Sequence, residues 1–459
     1  MHTPPAARTP ADVLALLDAR GLTHAKVGVF DIDGVLRGKL LNRDKLKSAL
    51  EGGFGFCDVI FGWDSEDQLY DNTQFTGWHT AYPDATARLL PHTLREVPFE
   101  RDGQALVLLG EMTGKAEQVC PRAALRRVLQ RADDMGYEVT AAFEYEFFVF
   151  NETPESVRAK NYQNLTPITP GFFGYSALRS GVWAELYEGL LDLCEKMRMP
   201  IEGLHTETGP GVLEAALRYS EALEAADRAA LFKTYAKIYA QRKGLMATFM
   251  AKWSNKYPGQ SGHIHVSLRK KGSGEAVFHD PAHPHNMSAA MASFAAGQQR
   301  LMPHLLALVS PTVNSYSRLI PGYWAPTHSA LGVENRTTSL RVIPGAPSSQ
   351  RLEYRVAAAD ANPYLALAAA LGSGLLGLER GWAAPPIIEG NAYALTLPDA
   401  DRLPATLWEA AQRLKASADA RELFGDAFVE HFAATREWEE REFRRYITDW
   451  ELRRYFEII

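Results

Sequence analysis

Apolar and polar positions alternate in three separate stretches of the chain, and each alternation gathers ionisable residues on one face. In residues 141–150 (AAFEYEFFVF) Glu144 and Glu146 stand two apart among aromatics. In residues 262–268 (GHIHVSL) His263, His265 and Ser267 alternate with apolar positions, and in residues 351–355 (RLEYR) so do Arg351, Glu353 and Arg355. Side chains at i and i+2 share a face of a strand, so the pattern predicts three strands, each aiming its polar set one way. A sheet with one solvated face explains any single alternation. Three of them in strongly apolar surroundings predict a polar-lined cavity. Residues 205–216 (HTETGPGVLEAA) add Glu207 and Glu214 around a Gly-Pro-Gly turn.

Other periodicities fill in the frame. A loose tail leads into a short helix over residues 12–20, stopped by Gly21. From residue 25 to 41 two apolar runs flank Asp33-Gly34, a hairpin signal. Residues 52–88 are aromatic and acidic without a clean period, which predicts strands and long loops. Thr113-Gly114-Lys115 marks a boundary. Helical patterns cover residues 121–135, opening on Pro121 and ending at Gly136, and residues 221–243, capped by Ser220 and ended by Gly244. The chain from Leu407 onward is helical and charged. This is an α+β pattern: a tail and short helix (residues 1–21), a small β-rich domain (22–114) and a large α+β domain (115–459).

Composition narrows the function. With 459 residues, 46% of them hydrophobic, the chain can bury a sizeable core, and a net charge of −6 offers no footprint for a nucleic acid. Three cysteines, far apart, read as reduced thiols. The start of the chain lacks a signal-peptide pattern. The most membrane-like stretch, residues 364–378, is too short to span a bilayer and is interrupted by Gly372 and Gly374. A soluble cytoplasmic protein without a membrane partner is expected.

Four or five carboxylates in one cavity repel one another unless cations neutralise them. Oxygen-rich sites with an occasional histidine suit Mg²⁺ or Mn²⁺, and no Cys/His quartet exists for zinc. Arg318, Arg336, Arg341, Arg351 and Arg355 follow downstream. Guanidinium groups grip phosphate and carboxylate oxygens, so acids, metals and arginines together point to a nucleotide and an anionic substrate. Residues 372–377 match G-x-G-x-x-G literally but follow a helical run, so they read as helix-packing glycines; no Walker-type loop is present.

These segments, in this order, resemble the glutamine synthetase family from about Lys26 onward. The opening hairpin is similar to residues 30–39 (FDIDGVLRGK), and the substrate loop to residues 314–326 (NSYSRLIPGYWAP). Residues 335–341 (NRTTSLR) and 351–365 (RLEYRVAAADANPYL) complete the set. The resemblance implies a small β-grasp-like domain before a catalytic domain with an antiparallel sheet and flanking helices. It also implies a homo-oligomer, two stacked hexameric rings, in which the first domain completes a neighbour's site. Glu146, Glu207 and Glu214 would hold one divalent ion, and Glu144, His263 and Glu353 the other. Arg318 and Arg355 would hold the carboxylates of L-glutamate, and the Gly259 backbone its amino end. Arg336 would stabilise the transferring phosphoryl group, and Arg341, His265 and Ser267 would contact ATP.

Departures from the family pattern indicate a subtype. Ammonia-using members carry a glutamate in the loop that here reads PGYWAP, and the matching position is Trp324. Indole accepts no proton and neutralises no ammonium, but it offers a broad apolar wall. The family's Asp-Gly-Ser-Ser loop corresponds loosely to residues 64–67, with Asp64 at the aspartate, and Pro258 replaces an asparagine. The resemblance with these departures implies an ATP-dependent ligase joining the γ-carboxylate of glutamate to a small organic amine. The runner-up is a glutamine synthetase using ammonia; an inactive structural relative is third. Tyr393 resembles the residue adenylylated in some bacterial members, a switch for which an organic-amine ligase has little need.

Overall fold

Strand β1 (His24–Phe30) pairs antiparallel with β2 (Leu36–Asn42) from His24↔Asn42 to Phe30↔Leu36. A five-residue loop, not a two-residue Asp33-Gly34 turn, closes this hairpin. The Asp31 N–H donates to the Val35 carbonyl at 3.0 Å, and the Asp31 carboxylate accepts the N–H groups of Asp33 and Val35. That buried side chain does the closing a tight backbone turn would otherwise do. Gly34 supplies the left-handed step, at φ +80°. The computed structural model describes residues 8–459; the first seven residues of the expected tail lie outside them. Helix Pro10–Ala19 starts earlier than its apolar pattern predicts, because Thr9 and Asp12 form a reciprocal capping box ahead of it.

The hairpin belongs to a six-stranded sheet with β3 (Phe54–Cys57), β4 (Asp84–Leu89), β5 (Arg95–Val97) and β6 (Ala105–Met112), ordered β2-β1-β6-β4-β3 with β5 also on β6. β1 and β6 run parallel and the other pairs antiparallel. Helix Arg43–Gly52, capped by Asn42, packs Leu46, Ala49 and Leu50 into the core.

A second, nine-stranded sheet carries the predicted polar faces. Its strands are β7 (Tyr137–Phe150), β8 (Ile201–Thr206), β9 (Val212–Leu217), β10 (Ser220–Glu221), β11 (Met246–Thr248), β12 (Gly262–Lys270), β13 (Leu331–Val333), β14 (Leu340–Ile343) and β15 (Arg351–Tyr354). The main order is β13-β14-β15-β12-β7-β9-β8, with β10 and β11 also on β7. Only β13 and β14 pair in parallel. β7 alternates half-buried and buried residues along most of its length: Phe143, Tyr145 and Phe147 go into the core, Glu144 and Glu146 to the other face.

Helices Pro121–Asp134, Ala222–Arg242 and Pro363–Glu379 cover the apolar face, and Ala289–Val309 packs on Pro363–Glu379. Ala222–Arg242 is capped by Glu221, whose carboxylate accepts the N–H groups of Leu223 and Glu224, and not by Ser220, which is held in a bridge to Ala141 of β7. The Gly372–Gly377 run packs helix on helix. A Cβ on Gly377 would come within 2.1 Å of the Ser293 carbonyl, and one on Gly297 within 2.1 Å of the Ser373 carbonyl. The charged tail forms helices Leu407–Ala416, Ala418–Phe424, Asp426–Phe443 and Asp449–Tyr455. Asn362 donates to the Asp31 and Ile32 carbonyls, and Arg436 to Asp33 at 2.7 Å, so the hairpin loop is tied to the rest of the chain. Among the described residues no helix is long and apolar enough to cross a membrane.

Candidate active site

Strand pairing sets the functional side chains in rows across the second sheet. Arg341, Glu353 and His265 are direct neighbours on β14, β15 and β12; His263 and Glu144 on β12 and β7; Glu146, Glu214 and His205 on β7, β9 and β8. Direct cross-strand neighbours hold their Cβ atoms about 4.5–5.5 Å apart, which is why residues more than 200 positions apart in sequence converge. The rows floor a cavity of about 670 Å³, lined by Glu144, Glu146, Glu207, Glu214, His263, His265, Gly259, Arg318, Trp324, Arg336, Arg341 and Arg355. Glu353 lies beneath this lining, 1% exposed. Ser267 faces an adjoining cavity of about 350 Å³ that shares Glu144, His265 and Arg351. Asp64 is outside its own chain's cavity: its Oδ1 accepts the N–H groups of Glu66 and Gln68, and its carbonyl accepts from Arg37.

The electrostatics are those of a cation site. His263 is 5% exposed, with neither ring nitrogen hydrogen-bonded; its Nδ1 stands 3.2 Å from Glu353 and 3.6 Å from Glu144. Burial, reinforced by Arg355, pushes it down to about 4, so it is a neutral imidazole, the form that ligates metals. An orphaned buried nitrogen between two carboxylates fits a divalent ion with mixed oxygen and nitrogen ligands. Burial pushes Glu353 up, but His263, Arg355 and His265 outweigh it and hold the carboxyl at about 2. Glu144 likewise falls well below the usual range: burial opposes this, but His263 and His265 prevail. Burial, with Glu144 and Glu146 beside it, pushes Glu214 up to about 8. Burial also raises Glu146, although its Oε2 accepts the Ser261 N–H at 2.6 Å.

Two three-residue groups bring their ligand atoms within 4.8 Å of one another: Glu144, His265 and Glu353, and His205, Glu207 and Glu214. Each shares two residues with an expected triad. His265, with its Nε2 3.5 Å from Glu144, stands beside the expected His263, and His205 joins the row that holds the expected Glu146. His205 was missed although its signal was present: His205-x-Glu207 repeats the i, i+2 spacing of the other strands. Tyr175, Tyr323 and Ile343, which also line the cavity, come from segments without a polar alternation.

Arginines close the cavity. Arg318, 2% exposed, donates to the Val356 and Arg355 carbonyls at 2.9 and 3.1 Å, and burial lowers it to about 10. Gly259 rests on it so closely that a Cβ would stand 2.7 Å from Arg318 Cγ and 2.6 Å from the Ala251 carbonyl. Arg341 donates to Glu353 at 3.0 Å and to Glu334. Arg336 lies between Asn335 and Thr337, which hydrogen-bond to residues 388–392. Trp324 is 55% exposed and takes the left-handed conformation at φ +60°, facing both the main cavity and an open one of about 620 Å³ that also borders Arg336. Beside it, the Tyr323 ring lies over the buried Lys252 ammonium at 4.5 Å.

A sheet with carboxylate, histidine and arginine rows beneath a polar cavity fits a phosphate-handling enzyme. The glutamine synthetase catalytic domain matches residues 118–455, and the chain belongs to the glutamine synthetase family. It is 44% identical to a type-1 glutamine synthetase 2 of Dictyostelium discoideum, over 95% of this chain and 84% of that protein. It is 36% identical to a glutamate–isopropylamine ligase of a Pseudomonas species, over 96% and 97%. Among solved structures, GmaS without ligand superposes with a TM-score of 0.84 at 26% identity, covering 97% of this chain and 100% of that one.

Proposed function

We propose that the chain is an ATP-dependent ligase joining the γ-carboxylate of L-glutamate to an organic primary amine. The observation that carries this reading is Trp324, an indole on the cavity wall, at the position where the family resemblance implies a glutamate in ammonia-using members. Kinship with a glutamate–isopropylamine ligase along nearly the whole chain supports it. Arg318, Arg355 and the Gly259 backbone hold glutamate with its γ-carboxylate toward the metal rows. Arg341, His265 and Ser267 hold ATP from the adjoining cavity. A γ-carboxylate oxygen attacks the γ-phosphorus, the bond to the ADP oxygen breaks, and γ-glutamyl phosphate forms. Positioning and charge neutralisation carry such a step, and Arg336 meets the charge on the moving phosphoryl group. The amine nitrogen then attacks the acyl carbon, phosphate leaves, and the nitrogen loses a proton.

Two Mg²⁺ or Mn²⁺ ions, held by Glu144, His263 and Glu353 and by Glu146, Glu207 and Glu214, would supply Lewis-acid neutralisation of the phosphate oxygens when bound. Asp64 would act in the site of an adjacent copy, within a cytoplasmic double-ring dodecamer. The indole wall, with Tyr175 lining the same cavity, suits an apolar or aromatic amine better than a polycation. The second reading, a glutamine synthetase, is favoured by the 44% identity to the Dictyostelium protein. Phosphate release with ATP and glutamate across an amine panel tests the two: organic amines should exceed ammonium by at least about tenfold. Ammonium serving as well as every amine would establish the second reading.

A further inference from the structure

We infer that His205 is itself a ligand of the ion held by Glu207 and Glu214, so that each of the two ions receives an imidazole and the pair of sites favours Mn²⁺ over Mg²⁺. This rests on the metal-dependent reading above. His205 lies on β8 directly opposite Glu214, and Glu207 follows two residues on, just past the end of the strand. Its Nε2 stands 3.1 Å from Glu214 Oε1, and all three ligand atoms lie within 4.8 Å of one another. Bonds of about 2.1 Å to one shared ion hold two ligand atoms at most about 4.2 Å apart, so the three need draw together by only a few tenths of an ångström.

The ring is also set up as metal-binding histidines are. Nε2–H donates to Glu214 at 3.1 Å; with Nδ1, 3.2 Å from the Thr206 carbonyl, keeping its own proton, an ion that displaces the Nε2 proton meets a lone pair facing the carboxylates. The Tyr175 ring covers the imidazole at 4.5 Å with a 33° tilt and limits its rotation. Glu146, the third carboxylate of this row, has one oxygen engaged by the Ser261 N–H, so a nitrogen donor completes a set that it fills only in part. Mg²⁺ prefers an all-oxygen shell, whereas imidazole ligands favour transition metals.

The test uses the full-length protein with Mn²⁺ or Mg²⁺ as the only added ligand. Titration calorimetry should show Mn²⁺ binding at one of two sites weakened in His205→Gln by at least the ~10–100-fold that outer-shell partners are worth, with Mg²⁺ affected less. His205→Glu, which restores an oxygen donor of similar reach, should recover binding and lose the Mn²⁺ preference. Because His263 contributes its own imidazole, electron spin echo modulation of bound Mn²⁺ is read in His263→Gln. An imidazole nitrogen coupling should persist there and vanish in the His205→Gln, His263→Gln double variant. No coupling in His263→Gln, or native Mn²⁺ affinity in folded His205→Gln, overturns the inference while leaving metal dependence standing. Native protein that binds no Mn²⁺ overturns both.

Discussion

Replacing Trp324 with glutamate should convert an organic-amine preference toward ammonium. A tryptophan side chain presents on the order of 150–250 Å², and Trp324 leaves 55% exposed at the cavity, so about 100 Å² is open to an acceptor. An amine covering half of that removes roughly 50 Å² of apolar surface from water, about 1.3 kcal/mol at ~25 cal/mol per Å². A carboxylate instead offers a partner to an ammonium. At a half-exposed position that partner is worth about 1 kcal/mol, since solvent screens it. Together the two changes move selectivity by roughly 2 kcal/mol, or about 30-fold in the ratio of kcat/KM for ammonium to that for a bulky amine. Both residues must take the left-handed backbone at φ +60°, so folding stability should change little. Trp324→Ala isolates the apolar part and should cost only the bulky amine, by about tenfold. Initial rates of phosphate release at saturating ATP and glutamate provide the measurement. A ratio that moves less than about threefold in Trp324→Glu, with unchanged melting, refutes the argument.

Glu353→Gln should abolish turnover and lower stability by roughly 3 kcal/mol in urea unfolding, because Arg355 at 2.5 Å and Arg341 at 3.0 Å lose a buried counter-charge. Gly259→Ala should raise the KM for glutamate about tenfold and leave that for ATP nearly unchanged, as the new methyl displaces the loop from Arg318. His431, 3% exposed and packed on Phe75, is pushed down to about 4 by burial, with Arg436 adding to it. Its unfolded form binds protons from about pH 6.5 downward, so its stabilising contribution is full above pH 6.5 and declines as pH falls toward 4. That term is worth roughly 3 kcal/mol, and His431→Phe should flatten this part of the pH dependence in urea midpoints between pH 4.5 and 7.

The cavity floor was legible because strand periodicity and chemistry coincide: Glu144/Glu146, His263/His265 and Glu353/Arg355 each keep the two-residue spacing that a sheet converts into one face. Helix interiors were legible for the same reason, including the glycine run that packs Pro363–Glu379 against Ala289–Val309. What pattern alone missed depends on tertiary partners. Ser220 is the better cap by residue type, yet the helix starts at Ala222, so Glu221 occupies the cap position and its carboxylate serves. Asp33-Gly34 has the composition of a two-residue turn, but the buried Asp31 carboxylate holds a wider loop. His205 shares the spacing of its counterparts, but the turn that follows Thr208 breaks the alternation after a single repeat. The left-handed Trp324 lies in a loop without periodicity, where no spacing indicates backbone conformation.

The division between ladder and loop bears on how such enzymes acquire new substrates. A single insertion or deletion within β7, β9, β12 or β15 would rotate every ligand on that strand into the apolar core, so these segments tolerate almost no change in length. Residues 319–326, which carry Tyr323 and Trp324, belong to no ladder and can vary without disturbing a pairing. Activation of glutamate is thus inherited intact while the acceptor wall drifts. A lineage built this way can sample one nucleophile after another by point mutation, each new activity arising on an already working first half-reaction.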